Sequence, residues 1–208
     1  MTAPTAAGLA LGLVLLYGLI GFGLRALLHR RRTGDHGFRR SGAPRFSPGW
    51  WAEVLFVTAV VTLLLGPVAG LLGPADLAGP DRSWWRVAGA VLAGVGIIGT
   101  LLTQLAMGAS WRVGVDETER TDLVTSGPFA VVRNPIFTVI LLTCAGVVLM
   151  VPNIVTVAGW VLLAVAVQLQ VRVIEEPYLA ATHGADYRAY AARVGRFVPG
   201  LGQLPGAQ

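Results

Sequence analysis

Residues 134–171 read NPIFTVILLTCAGVVLMVPNIVTVAGWVLLAVAVQLQV, 38 residues without a charged side chain. As one helix they would run about 57 Å at about 1.5 Å per residue, nearly two bilayer cores of roughly 30 Å. Val151-Pro152-Asn153 stands near the middle and is turn chemistry. The stretch therefore predicts a tight hairpin of two short apolar spans.

Three further charge-free intervals, 1–24, 54–75 and 87–111, each match one bilayer crossing. Hydrophobic residues make up 54% of the 208 and charged residues only 13%, with mean hydropathy +0.66. That leaves too little polar surface for a soluble domain. The predicted fold class is an all-α integral membrane protein with about five transmembrane helices. A short helical hairpin lies in its C-terminal half, followed by an amphipathic C-terminal cytoplasmic helix. The expected organisation is transmembrane helices 1–3 over residues 1–110, with a basic cytoplasmic loop at 29–50. A compact core of loop, hairpin and C-terminal helix follows over 111–199, and then a tail over 200–208.

The net charge is +5, and all 16 basic side chains behind it are arginines, since there is no lysine. Their placement speaks against nucleic acid. With five spans, fourteen arginines fall in 25–53, 112–133 and 172–208, and only Arg82 and Arg86 fall on the other side. This asymmetry predicts an outside N-terminus and a cytoplasmic C-terminus in the cell membrane. Arg30, Arg31, Arg32, Arg39 and Arg40 would meet anionic lipid headgroups. Trp50-Trp51 and Trp84-Trp85 open spans two and three and Trp111 closes span three, as interfacial aromatics do. The first span lacks a basic stretch before its apolar run, so a retained span is expected and not a cleaved signal. Cys144 stands alone, and with His29, His36 and His183 it makes no metal-ligand spacing.

Four stretches carry candidate chemistry. Gly94-Val-Gly-Ile-Ile-Gly99 matches a dinucleotide fingerprint, but no strand precedes it and it sits inside an uncharged span. Its glycines, like Gly66 and Gly70, are expected to let neighbouring helices approach closely. The segment from Leu123 to Phe137 holds turn chemistry in Ser126-Gly127-Pro128 and a helix start in Asn134-Pro135. Two readings stand side by side: the loop launches the next span, or its helix N-terminus, Arg133 and two aromatics hold an anionic ligand with a flat ring.

The third stretch, Arg172-Val173-Ile174-Glu175-Glu176-Pro177, ends the last span, since the residue before proline is biased away from helix. Arg172 and Glu176 stand i,i+4 and are expected to pair. Two carboxylates near lipid call for water, a cation or a ligand, and neighbours about 100° apart on a helix would find different partners. In the fourth, Tyr187, Tyr190 and Val194 share one face of an interfacial amphipathic helix.

In this order the elements resemble the isoprenylcysteine carboxyl methyltransferase family, which groups with phospholipid N-methyltransferases. The matching residues are Leu123-Val124-Thr125-Ser126-Gly127-Pro128, Arg133 with Pro135, Glu175-Glu176, Gly184 with Tyr187 and Tyr190, and Arg196-Phe197-Val198-Pro199. They cover about 112–199; residues 1–110 match only as generic spans.

The resemblance implies a membrane-embedded methyltransferase that binds S-adenosyl-L-methionine without a Rossmann domain and acts on a lipid-like or isoprenoid acceptor. Thr121, Asp122, Leu123 and Val124 would line the cofactor through their backbones. Phe129, Asn134, Pro135 and Phe137 would surround adenine and ribose. Glu175 or Glu176 would meet the ammonium of the methionine moiety, with Glu176 favoured. Arg172 would hold the acceptor, making Arg172 and Glu176 the catalytic pair.

The chain departs from the family pattern at Asn134, where the family has His, and at Phe129 and Phe137, where it has Tyr. Stacking survives these changes, while the hydroxyl bonds and the imidazole do not. Sterol reductases using NADPH are similar in the same region but read R-H-P-N-Y-x-G-E where this chain reads Arg133-Asn134-Pro135-Ile136-Phe137-Thr138. A reductase of that kind and a non-catalytic membrane protein are the alternative readings.

Overall fold

The computed structural model describes residues 1–35, 43–73, 77, 83–108 and 122–205. Thr121, Trp111, Arg39 and Arg40 lie outside the described residues. The architecture is all-helical. In order come α1 (Ala3–Gly18), a π-turn (Leu19–Leu24), α2 (Arg25–Thr33), α3 (Pro48–Leu72) and α4 (Ser83–Met107). A 3₁₀ turn (Gly127–Ala130), α5 (Pro135–Met150), α6 (Ile154–Leu169), a second π-turn (Gln170–Glu175) and α7 (Glu176–Arg193) complete the chain. Among the described residues no strand forms, only isolated bridges such as Val132 to Gly195.

Four helical stretches, Ala3–Arg31, Pro48–Leu72, Ser83–Met107 and Ile154–Arg193, are long and apolar enough to cross a membrane. Pro135–Met150 has 16 residues, about 24 Å of helix and short of the roughly 30 Å core. Side chains such as Val57, Leu65, Val91, Ile98 and Leu102 stay exposed on the outside of the bundle, the arrangement expected where lipid is the solvent.

The hairpin forms where the sequence predicts it. α5 ends at Val151, and Asn153 caps α6 by accepting from the Thr156 backbone N–H at 2.9 Å. Asn153 Nδ2 also donates to the Gly66 carbonyl at 2.9 Å and so pins the turn to α3. The two hairpin helices then choose different neighbours, α5 packing along α4 and α6 along α3. Glycines set that choice. A Cβ on Gly89 would lie 2.6 Å from the Gly146 carbonyl, and one on Gly96 or Gly66 would collide with Thr143 or Thr156. Gly94 has no neighbour within 4 Å, so close approach uses Gly96 and Gly99 of the fingerprint-like run and not Gly94.

Span one is tied to α4 by polar side chains. The Tyr17 and Thr100 hydroxyls meet at 3.0 Å, and Gln104 Nε2 donates to the Gly21 carbonyl in the π-turn at 2.8 Å. Buried Arg25 donates to the Gln104 and Gly108 carbonyls at the end of α4. A cation there meets the negative end of the helix dipole.

One boundary departs from expectation. Pro177 does not end the helix, which runs on beyond the apolar stretch into α7. Proline falls in the first turn of α7, just after the π-turn, where its missing N–H leaves no ladder bond unmade. The real break is at Gly184, whose φ of 54° lies in the left-handed region.

Candidate functional site

α5 opens with Asn134 and Pro135, yet the Asn134 side chain makes no cap. Its Nδ2 donates instead to the Arg196 carbonyl at 3.1 Å, and its backbone N–H reaches the same oxygen at 3.1 Å. The first N–H groups of a helix have no partner within it. Among the described residues those of Ile136 and Phe137 meet no acceptor, which leaves them to a ligand or water at this end of α5.

The loop before α5 is held against the C-terminal part of the chain. Leu123 packs on the cluster of Tyr187, Tyr190 and Ala191. Buried Phe129 lies in the 3₁₀ turn, and its carbonyl accepts from the Tyr190 hydroxyl at 2.6 Å. The Arg133 backbone donates to the Gly195 carbonyl at 2.8 Å. Phe137, one turn into α5, packs on the bundle side with Ile140, Leu163 and Val167. The two phenylalanines thus flank the α5 start along the chain, Phe129 in the turn before it and Phe137 one turn in, against the apolar interior.

The carboxylate pair divides as two adjacent helical residues should. Glu176 is buried and takes two guanidinium groups. Its Oε1 accepts from Arg133 Nη2 at 2.6 Å and from Arg196 Nε at 2.7 Å, and its Oε2 accepts from Arg196 Nη2 at 2.9 Å. Burial alone would raise its pKa, but the hydrogen bonds and charges of Arg196 and Arg133 outweigh that and lower it from the ordinary 4.5. Glu175 is half-buried and accepts from Gln170 Nε2 across the π-turn at 3.4 Å.

Two expectations are corrected by this geometry. Arg172 does not pair with Glu176: it is exposed and donates Nε to Gln168 Oε1 at 3.1 Å. The π-turn between them breaks the α-helical i,i+4 register that the spacing assumed. Nor is Arg133 open to an anion. Nη1 donates to the Ala191 and Val194 carbonyls and Nη2 to Glu176 and the Gly202 carbonyl. Sequence reasoning gave Arg196 and the Tyr190 hydroxyl no individual role, although both stand in the stretches that it singled out. Asp122 and Val124 lie in extended chain beside Leu123, and Thr121 is outside the described residues.

The site is thus a loop, an uncapped helix start and a carboxylate-bearing helix at one end of a bundle of apolar helices. Residues 84–186 match the phospholipid methyltransferase family. Over that stretch the chain belongs to the isoprenylcysteine/phospholipid methyltransferase family. It is a multi-pass membrane methyltransferase. No curated protein matches the chain.

Proposed function

We propose that this chain transfers the methyl group of S-adenosylmethionine to a lipid-like acceptor at the cytoplasmic face of the cell membrane. The observation that carries the reading is the start of α5, left without a side-chain cap between Phe129 and Phe137. Methyltransferases of this family generally use that cofactor. The residues present fit it: free backbone N–H groups and aromatic faces suit a nucleoside, and the half-buried Glu175 suits an ammonium.

When bound, the cofactor supplies an electrophilic methyl group on a sulfonium. The chain's own work is then positioning, because in-line displacement needs a nucleophile held at near-contact distance. Phe129 and Asn134 on the loop side and Phe137 on the bundle side bound the nucleoside, with Pro135 fixing the helix start. Asp122, Leu123 and Val124, with Thr121 ahead of them, line it through their backbones. Glu175 offsets the ammonium and Glu176 stands behind it. Arg172 leaves both terminal nitrogens without a partner among the described residues. It stands where the apolar part of the helix gives way to polar chain, at the level of a headgroup phosphate or carboxylate that a planar fork grips bidentately.

The arginine asymmetry supports a cytoplasmic site, and exposed Arg30 and Arg31 suit anionic headgroups. Calorimetric titration of the detergent-purified chain with S-adenosylhomocysteine and, separately, with NADPH tests the reading. Binding of the first alone is expected. Binding of NADPH alone would replace the transferase with a reductase.

A further inference from the structure

We propose that Glu176 is a positioning residue, the carboxylate that fastens Arg133 of the loop to Arg196 of the C-terminal strap. Residues 195–204 are then a working part of the site. The inference rests on the reading that residues 122–137 hold the cofactor.

The strap is built onto the site at several points. Its Gly195 and Arg196 carbonyls take the Arg133 and Asn134 backbone N–H groups, and the Phe197 carbonyl takes the Thr138 hydroxyl at 2.9 Å. The Phe197 ring packs with the apolar cluster of the bundle. Leu204 N–H returns to the Ala191 carbonyl at 3.0 Å, and Gln203 Nε2 reaches the Arg193 carbonyl at 2.8 Å. Because the Arg196 carbonyl draws the Asn134 side chain away from α5, the strap itself leaves the helix N-terminus uncapped.

Charge makes Glu176 the keystone. The Arg133 side chain is 2% exposed and that of Arg196 12%, with a single carboxylate between them. Removing that charge leaves a buried guanidinium facing a partly buried one, and breaking a buried pair is costly. The adjacent carboxylates therefore differ: Glu176 locks loop to strap, and Glu175, on the next helical radius, meets Gln170 instead.

The test compares Glu176→Gln, Arg196→Gln and the double variant in the full-length chain. S-adenosylhomocysteine affinity is read together with hydrogen exchange at residues 131–134 and 195–204. Each single variant is expected to weaken binding on the order of tenfold or more and to raise exchange in both segments. The double variant should be no weaker than the worse single one, because both changes open the same network. If Glu176→Gln does not fold, Arg196→Lys keeps the charge without the two-point grip, and it should still lose affinity severalfold.

Weaker binding by Glu176→Gln with unchanged exchange would make Glu176 a direct ligand and overturn the proposal. So would wild-type affinity in the Arg196 variants, or a change in melting temperature alone. A wild-type chain that does not bind S-adenosylhomocysteine removes the cofactor reading instead. Exchange then decides: raised in both segments the lock stands, unchanged it falls.

Discussion

Glu175 and Glu176 are chemically identical neighbours, and their different surroundings come from about 100° of helix rotation. One turns inward to two arginines and the other toward Gln170. The pairing of Glu176 has a pH signature. A carboxyl whose folded pKa is lowered stabilises the fold above its unfolded value, and that stability is lost as pH falls through the folded one. The acid limb of the wild-type melting-temperature profile should therefore fall steeply below about pH 4.5, and Glu176→Gln should flatten it. At the loop, Phe129→Ala is expected to weaken S-adenosylhomocysteine binding by about 1–3 kcal/mol through lost burial and ring contact. Calorimetry checks it, and unchanged affinity would take the adenine away from this ring. Arg172→Lys should leave cofactor affinity nearly intact and lower turnover, since an ammonium cannot reproduce a planar fork. Steady-state kinetics beside a binding isotherm separate the two effects. The stretches that the fold brings together were legible in the sequence, but the partners of their residues were not. Arg133 spends its guanidinium on the carbonyls of Ala191, Val194 and Gly202, about sixty residues away. No local spacing shows such acceptors. Arg172 and Glu176 failed to pair because a π-turn shifted their register, and no residue type announces one.

At the scale of elements the hairpin was legible because proline and asparagine punctuate an otherwise uniform apolar run, and Asn153 does cap α6. The end of the last helix was misread for the opposite reason. Pro177 is a stop signal in a regular helix and harmless in the first turn after a π-turn. Glycine-dependent packing gives a paired test. Gly146→Ala places a methyl group 2.6 Å from the Gly89 carbonyl and is expected to cost about 1–3 kcal/mol. Gly94→Ala meets nothing within 4 Å, so it should be neutral or stabilise by up to about 1 kcal/mol through helix propensity. Thermal denaturation in detergent reads both. Equal effects would remove the asymmetry between the two faces of α4.

At the scale of the whole molecule, apolar helices carry a polar assembly at one end, and the proposed topology turns that end to the cytoplasm. Single cysteines at Gly34, Thr118 and Gly202, introduced with Cys144 replaced by Ala, should all react with a membrane-impermeant reagent only in inverted vesicles. Opposite accessibility of any two would separate the loop from the strap and contradict the site. Group transfer itself is open to direct measurement. Purified chain in mixed phospholipid vesicles, given S-adenosylmethionine labelled in its methyl group, should move label into the organic phase, and Arg172→Lys should slow that transfer. Label that stays wholly in the aqueous phase across a full set of lipid classes, from a chain that binds S-adenosylhomocysteine, would rule out methyl transfer to a lipid acceptor.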